Sequence, residues 1–192
     1  MTSKSVTDRI KALAPTIGIP FAITKIGHVV LNCSDLERSV KFYTEVLGFK
    51  VSDVYEEEMV PGGMVFMRFG VDHHGVGLVG AMPGSAQNIE LHHLAFEVAT
   101  LDELLRAREH VEKHNVTVDF HGRRRAGAQI AVEFADPDGH QIEIFWGLDK
   151  VGSDGAIRPR SEWRPVSSLE DAVDNPASGQ DTTVNDKSLL RR

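Results

Sequence analysis

Apolar and polar positions follow a pattern that occurs twice along the chain, and both copies predict the same order of elements. Each copy starts with a short apolar strand, continues into an amphipathic helix, and ends with three strand-like runs separated by turn residues. The predicted strands span residues 25–32, 49–54, 64–69 and 76–80 in the first copy, and residues 91–98, 116–120, 129–134 and 141–146 in the second. A βαβββ unit used twice is the simplest architecture for this repeat.

Residues at the expected helix ends support this assignment. Ser34 and Glu37 have the spacing of a capping box before the first helix, and Gly48 supplies its stop. Thr100 and Glu103 repeat the capping-box spacing before the second helix. We therefore predict an α+β fold in which two paired βαβββ modules form an open mixed-sheet barrel with a shared pocket between their concave faces.

The chain divides into four predicted segments. Residues 1–22 form an N-terminal extension with a short helix at residues 4–14, residues 23–83 the first module, and residues 84–149 the second module. Residues 150–192 form a C-terminal tail rich in Ser, Asp, Gly and Pro, which we expect to be partly disordered, with its last dozen residues mobile. Trp163 suggests that the first part of the tail packs on the body or on a neighbouring subunit.

Composition narrows the class of protein. The chain has 192 residues, of which 41% are hydrophobic and 26% charged, as is usual for a soluble globular protein. A formal net charge of −7 gives no electrostatic case for nucleic-acid or membrane binding, and the sequence contains no run of eighteen apolar residues. Cys33 is the only cysteine, so an intrachain disulfide is impossible, and we expect a reducing, cytoplasmic setting.

Two histidines and one glutamate are the candidate metal ligands. His28 and His93 lead the first strand of each copy and lie 65 residues apart, and Glu143 lies in DPDGHQIEIFW, where the second copy closes. Two imidazoles and a carboxylate can hold a divalent metal and leave coordination positions free for substrate. Side chains alternate along a strand, so we expect His92 to point away from His93 and take a structural or supporting role.

The repeated segments GHVVLNCSDLERSVKFYTEVLGF and HHLAFEVATLDEL, together with DPDGHQIEIF, resemble the vicinal oxygen chelate superfamily. That superfamily includes glyoxalase I, methylmalonyl-CoA epimerase, fosfomycin resistance proteins and type I extradiol dioxygenases. The resemblance covers residues 23–147 and implies the paired-module fold with a metal held by His28, His93 and Glu143. The resemblance does not identify one reaction, because proteins of this fold catalyse several different reactions.

The number of ligands favours one branch of the superfamily. Glyoxalase I resembles this frame but uses a second glutamate, and the corresponding stretch here contains Gly77, Leu78 and Val79. A three-ligand set resembles that of the extradiol dioxygenases, which bind Fe(II) or sometimes Mn(II) and act on catechol-like aromatic compounds with O2. The resemblance therefore predicts Fe(II) as the cofactor, and a small aromatic molecule and O2 as the partners.

A second motif, FMRFGVDHHGVGL, resembles the dioxygenase segment in which the second histidine of a pair lies beside the O2 site. Carried over, that residue is His74, which would act first as a base and then as an acid. The alternative is that His73 and His74 are only polar turn residues.

One departure from the dioxygenase pattern concerns the substrate side of the site. The family has a tyrosine and a histidine where this chain has Glu133 and, at the histidine position, Arg124 or Arg125. Glu133 is a candidate catalytic base, and Arg124 and Arg125 are candidates to bind an acidic group of the substrate.

Three functions follow from these residues. The preferred one is an extradiol-type dioxygenase, in a protein expected to be a homo-oligomer. The first alternative is a glyoxalase-like lyase, epimerase or isomerase that uses Zn(II), Ni(II), Co(II) or Mn(II) to stabilise an enediolate, with Glu133 as the base. The second alternative is a metal-free ligand-binding protein of the bleomycin-resistance type.

Overall fold

A computed structural model of the chain describes residues 5–14, 25–80, 91–125, 127–150 and 156–191. The predicted segment boundaries at residues 22 and 83 lie outside these ranges. The strands are β1 (Val29–Asn32), β2 (Lys50–Tyr55), β3 (Met64–Arg68), β4 (Val76–Val79), β5 (Leu94–Glu97), β6 (Val118–Arg123), β7 (Ile130–Ala135) and β8 (Gln141–Trp146). The helices are α1 (Val6–Lys11), α2 (Leu36–Glu45), α3 (Leu101–Lys113) and α4 (Leu169–Asp174).

Two four-stranded sheets repeat one topology. The strand order is β1-β4-β3-β2 in the first sheet and β5-β8-β7-β6 in the second. In each sheet the first strand of the module pairs in parallel with the last, and the other pairs are antiparallel. The α+β fold of paired βαβββ modules is therefore confirmed, although the two sheets are not closed into a barrel.

Both leading strands are shorter than the sequence pattern predicts. β1 begins at Val29 and β5 at Leu94, so the two leading histidines lie immediately before their strands. The parallel register explains the shortening of β1, because its partner β4 begins only at Val76, opposite Val29. His28 and His93 therefore lie directly before the leading strand of each sheet, and both side chains are exposed.

The start of α2 differs from the prediction. Its N-cap is Asp35, whose side chain accepts a hydrogen bond from the backbone N–H of Arg38, so the predicted capping box of Ser34 and Glu37 is wrong. The Ser34 side chain instead donates to Asp138, in the turn between β7 and β8. The capping box of Thr100 at the start of α3 is confirmed.

One hydrophobic core joins the two modules. One face of each sheet supplies fully buried side chains to the core, which also receives the apolar faces of α2 and α3. Phe42 of α2 contacts Phe134 of β7, with ring centroids 6.4 Å apart, so the helix of the first module packs on the sheet of the second. The opposite faces of the sheets remain available for polar side chains.

The C-terminal tail packs on the second module. α4 contacts β6, and Val166 forms an isolated antiparallel bridge with Arg123. The last dozen residues, expected to be mobile, include Leu189, which is buried in the core cluster. None of the helices in the described ranges combines the length and the hydrophobicity that a membrane span needs.

Candidate active site

The polar face of the second sheet brings several candidate residues into one row. Glu143 of β8 lies opposite Ala95 of β5 on one side and Glu133 of β7 on the other, and Glu133 lies opposite Phe120 of β6. Residues directly opposite each other on paired strands project from the same face. The row therefore lies on the face that turns away from the hydrophobic core.

Glu143 is a buried carboxylate with weak compensation for its charge. It is 4% exposed; its Oε2 lies 3.5 Å from His93 Nε2, and its Oε1 accepts a long hydrogen bond of 3.4 Å from Gln129 Nε2. Burial raises the pKa of Glu143 because its ionised form has lost water. A divalent cation beside this carboxylate and the imidazole would supply the missing compensation, so the donor chemistry fits a metal.

The third candidate ligand, His28, lines the same cavity as His93. This cavity has a volume of about 740 Å³ and lies between the facing edges β1 and β5. The His28 ring contacts His74, with ring centroids 4.6 Å apart. Among the residues that the structure describes, no three His, Cys, Asp or Glu side chains are grouped closely enough to hold a metal ion. The structure therefore pairs His93 with Glu143 and leaves His28 beside His74.

Sheet register identifies the counterpart of Glu143 in the first module. Val30 pairs with Gly77 in β1 and β4, as Ala95 pairs with Glu143 in β5 and β8. A Cβ atom at Gly77 would lie 3.1 Å from Met64 Cε and 3.2 Å from Val30 Cγ2. The first-module counterpart of Glu143 is thus a glycine close to apolar side chains, with no side-chain donor for a metal.

Glu133 and Arg124, which the resemblance places where the dioxygenases have a tyrosine and a histidine, form an ion pair. Arg124 donates from Nε to Glu133 Oε1 at 2.7 Å and from Nη2 to Oε2, and its guanidinium lies 3.6 Å from the centroid of the Phe120 ring. The hydrogen bonds that Arg124 donates to Glu133 raise the pKa of Arg124. The three consecutive arginines differ, because Arg123 is buried and Arg125 is exposed. Only Arg124 is brought onto the polar face with Glu133.

A further polar cluster lies on the first module beside His28. His74 Nδ1 is 3.0 Å from His73 Nδ1, and His73 Nε2 is 3.0 Å from Asp53 Oδ2. The ring of Phe66 contacts His74, with centroids 4.4 Å apart. Desolvation and the nearby His28 and His73 lower the pKa of His74. His73 and His74 thus make contacts that join Asp53 to the residue beside His28.

His92 and Cys33 are the two other side chains with possible chemistry. His92 Nδ1 lies 2.8 Å from His93 Nδ1, so His92 contacts the candidate ligand. This contact is possible because both residues precede β5 and do not follow the alternation of a strand. Burial raises the pKa of Cys33 to about 11, so its thiol is protonated and poorly nucleophilic at neutral pH.

Sequence reasoning missed several residues around these candidates. Phe120 supports Arg124, Gln129 contacts Glu143, and Phe66 packs on His74. Phe120 pairs with Glu133 and Phe66 pairs with Gly77 on neighbouring strands, so each lies on the same sheet face as its partner. A correct prediction of the strand register would therefore have identified both. Gln129 precedes β7 and carries no signal in the sequence.

Comparisons with known proteins identify the family of this chain. Residues 25–144 match the family model described as Glyoxalase/Bleomycin resistance protein/Dioxygenase superfamily. A biphenyl-2,3-diol 1,2-dioxygenase of Paraburkholderia xenovorans is 30% identical over 129 residues, which are 66% of this chain and 42% of that protein. This chain therefore spans less than half the length of that relative.

Two smaller proteins are similar over most of their own length. A lactoylglutathione lyase of Salmonella typhimurium is 26% identical over 128 residues, which are 65% of this chain and 94% of the lyase. A solved structure from the mobile metagenome of V. Pseudocholerae is 28% identical, with a TM-score of 0.52 over 67% of this chain and 98% of the other. The similarity to the lyase keeps a second reaction class open.

Proposed function

Because this chain belongs to the glyoxalase/bleomycin resistance protein/dioxygenase superfamily, we propose that it is a metal-dependent extradiol-type ring-cleaving dioxygenase acting on a catechol-like aromatic substrate. The observation that carries the proposal is Gly77, which stands in register where a fourth protein ligand would be needed for the glyoxalase type. A three-ligand site leaves more coordination positions for a chelating diol and O2. The similarity to a biphenyl-2,3-diol 1,2-dioxygenase supports the same class.

In this proposal His28, His93 and Glu143 would hold Fe(II), with Mn(II), Zn(II), Ni(II) or Co(II) as other candidates for the same donors. Support comes from the buried Glu143 carboxylate and its contact with His93. For all three side chains to bind one metal, His28 would have to bind it either while it contacts the His74 ring or after it has left that ring. When bound, such a metal supplies Lewis acidity toward the diol oxygens and one-electron chemistry with O2.

His74 is the proton-handling residue of the proposal. It would take a proton from a substrate hydroxyl and later return a proton to an oxygen atom of the reacting substrate. An imidazole is suited to both steps. The contact of His74 with the candidate ligand His28 supports this role, because a substrate held by a metal at His28 would lie beside the His74 imidazole. The Phe66 ring, tilted by 40° to the His74 ring at a centroid distance of 4.4 Å, limits the orientations that His74 can adopt.

Arg124 and Glu133 give the proposed site a preference for an acidic substrate. Glu133 accepts hydrogen bonds from Nε and Nη2 of Arg124, so the pair leaves both N–H groups of Nη1 and one of Nη2 to donate to a substrate carboxylate. The contact with the Phe120 ring holds the guanidinium against the sheet. Glu133 therefore orients Arg124 in this proposal, and its lone pairs are less available for the role of general base. Arg125, exposed in the next position, takes no part in binding the acidic group in this proposal.

Oxygen uptake tests the proposal directly. The protein is reconstituted anaerobically with Fe(II), and O2 consumption is measured with catechol, alkyl- and aryl-catechols and carboxylated catechols. We expect O2 uptake together with a ring-opened product, and loss of both in Glu143→Gln, which removes a charged ligand. Iron-loaded protein that neither binds a catechol nor consumes O2 would contradict the proposal.

A glyoxalase-like lyase or isomerase is the second candidate, favoured by the similarity over 94% of a lactoylglutathione lyase. Its Zn(II)- or Ni(II)-loaded form would exchange the substrate proton of a 2-oxoaldehyde thiol adduct with solvent deuterium and consume no O2. In that reaction Glu133 would have to leave Arg124 to act as a base. Full ligand binding by chelator-treated protein, without turnover, would instead support a metal-free binding protein.

A further inference from the structure

An aspartate and two histidines form a linear chain of contacts on the first module. Asp53 lies on β2 opposite Phe66 of β3, and its Oδ2 is 3.0 Å from His73 Nε2. The other ring nitrogen of His73, Nδ1, is 3.0 Å from Nδ1 of His74. Both rings contact Phe66, with centroids 6.3 Å away for His73 and 4.4 Å away for His74. The contacts run in one direction, from a carboxylate to the residue beside His28.

Hydrogen-bond chemistry allows only a few proton arrangements along this chain. An ionised carboxylate only accepts, so the contact with Asp53 requires a proton on His73 Nε2. A neutral His73 then carries its lone pair on Nδ1, and the 3.0 Å contact requires His74 to donate from its own Nδ1. A neutral His74 that donates from Nδ1 carries its remaining lone pair on Nε2.

We propose that His73, oriented by Asp53, is a positioning residue that holds His74 in the tautomer with the proton on Nδ1 and the lone pair on Nε2. The use of that lone pair as the base for a substrate hydroxyl rests on the proposed function. The tautomer itself does not, because it is derived from contacts within the protein and from the neutral form of His73. The arrangement resembles other histidines whose reactive nitrogen is selected by the partner of the second nitrogen.

Two substitutions of His73 distinguish the effect of its hydrogen bonds from the effect of its ring size. His73→Gln would reproduce the polarity of the native side chain, because the new amide N–H can donate to Asp53 while the new carbonyl oxygen accepts from His74. His73→Phe keeps an aromatic ring but can neither donate to Asp53 nor accept from His74. The proposal therefore expects His73→Gln to preserve the wild-type properties of His74 and His73→Phe to lose them.

Nitrogen NMR of the full chain, labelled with 15N-histidine and freed of metal by a chelator, reads the tautomer of His74 without any reaction. Its signals are identified by their absence in His74→Gln. We expect a protonated Nδ1 and a lone pair on Nε2 in the wild type and in His73→Gln, and a shift of the tautomer in His73→Phe. Asp72→Asn, a neighbouring exposed aspartate paired with Lys25, is the control and is expected to leave the signals unchanged.

Kinetics of the iron-loaded protein add a second readout. For His73→Phe we expect kcat for O2 uptake to fall about tenfold or more, with little change in KM. For His73→Gln we expect kcat to stay close to the wild-type value. A wild-type His74 protonated on Nε2, or a tautomer unaffected by His73→Phe, would overturn the proposal. Wild-type protein that shows the expected tautomer but consumes no O2 would overturn the proposed function and leave the positioning role standing.

Discussion

At the scale of single residues, the role of an ionisable side chain here depends on its partner more than on its type. Three arginines stand in a row at positions 123, 124 and 125, yet one binds the C-terminal tail, one pairs with Glu133 over Phe120, and one is exposed. Only the middle one combines a fixed orientation with a place on the polar face of the sheet. This difference leads to a prediction about substrate preference.

Arg124→Met is expected to raise KM for a carboxylated catechol about tenfold or more relative to unsubstituted catechol. A charge-assisted hydrogen bond contributes about 1.5–3 kcal/mol, and the neutral substrate makes no such bond. Oxygen-uptake kinetics with both substrates measure the ratio. Arg125→Met is the matched control, since it removes the same charge from the adjacent exposed position. A change of preference in Arg125→Met and none in Arg124→Met would contradict the assignment.

At the scale of elements, the turn between β7 and β8 connects the two modules. Asp138 of this turn is 1% exposed and accepts hydrogen bonds from the backbone N–H of Ser34 at 3.0 Å and from Ser39 Oγ at 2.7 Å. Arg38 Nη2 adds an ion pair at 2.9 Å. These contacts tie the start of α2 in the first module to the strand that carries Glu143 in the second.

Asp138→Asn is expected to lower the free energy of unfolding at pH 7 by about 2 kcal/mol, because it weakens several charge-assisted hydrogen bonds of a buried group. Although burial opposes it, hydrogen bonds from Ser34 and Ser39 lower the pKa of Asp138. A lowered pKa gives stability that is present above the ordinary value of 3.8 and is lost as the pH falls through the folded-state pKa.

Urea unfolding of the wild type and Asp138→Asn at pH 7 and at progressively lower pH measures this difference. We expect the difference between the two proteins to shrink as the pH falls below about 4. Asp72→Asn removes an aspartate whose ion pair with Lys25 is exposed, and its effect should stay within about 0.5 kcal/mol. Equal losses of unfolding free energy in both variants would contradict a stabilising role for the buried contacts of Asp138.

At the scale of the whole molecule, the C-terminal tail is a part of the fold. Arg123 is 1% exposed and donates from Nη1 to the backbone carbonyls of Arg164 at 3.1 Å and Asn175 at 2.7 Å. It also donates to the Ala172 carbonyl and, from Nε, to Gln180 Oε1 at 3.1 Å. One buried guanidinium thus satisfies several acceptors of the tail at once, on the strand next to the one that carries Glu133.

Arg123→Met is expected to destabilise the protein by about 3 kcal/mol or more, since each buried carbonyl left unpaired costs about 1–3 kcal/mol. We also expect faster proteolysis between the second module and α4, because the tail loses its attachment. Urea unfolding and limited proteolysis check both effects. Arg125→Met again serves as the control, and equal protease resistance in Arg123→Met and the wild type would contradict the attachment.

Much of the fold was readable from the sequence alone. The repeated alternation of apolar residues predicted the eight strands and the order of elements in both modules, and the resemblance to the superfamily is confirmed by the family match. Short-range chemistry is sufficient for this, because strand periodicity and helix caps depend on residues only a few positions apart. The same reasoning nominated His28, His93 and Glu143, whose role as metal ligands stays a prediction.

Only the tertiary structure decided which of these residues meet. It paired Glu133 with Arg124, placed His73 between Asp53 and His74, and put Gly77 in register with Glu143. It also used Ser34 to bind Asp138 where the local pattern predicted a helix cap. Such contacts join residues up to 104 positions apart, and local periodicity carries no information about them. The sequence by itself thus determined the frame and the candidate donors, whereas long-range packing determined how the site is arranged.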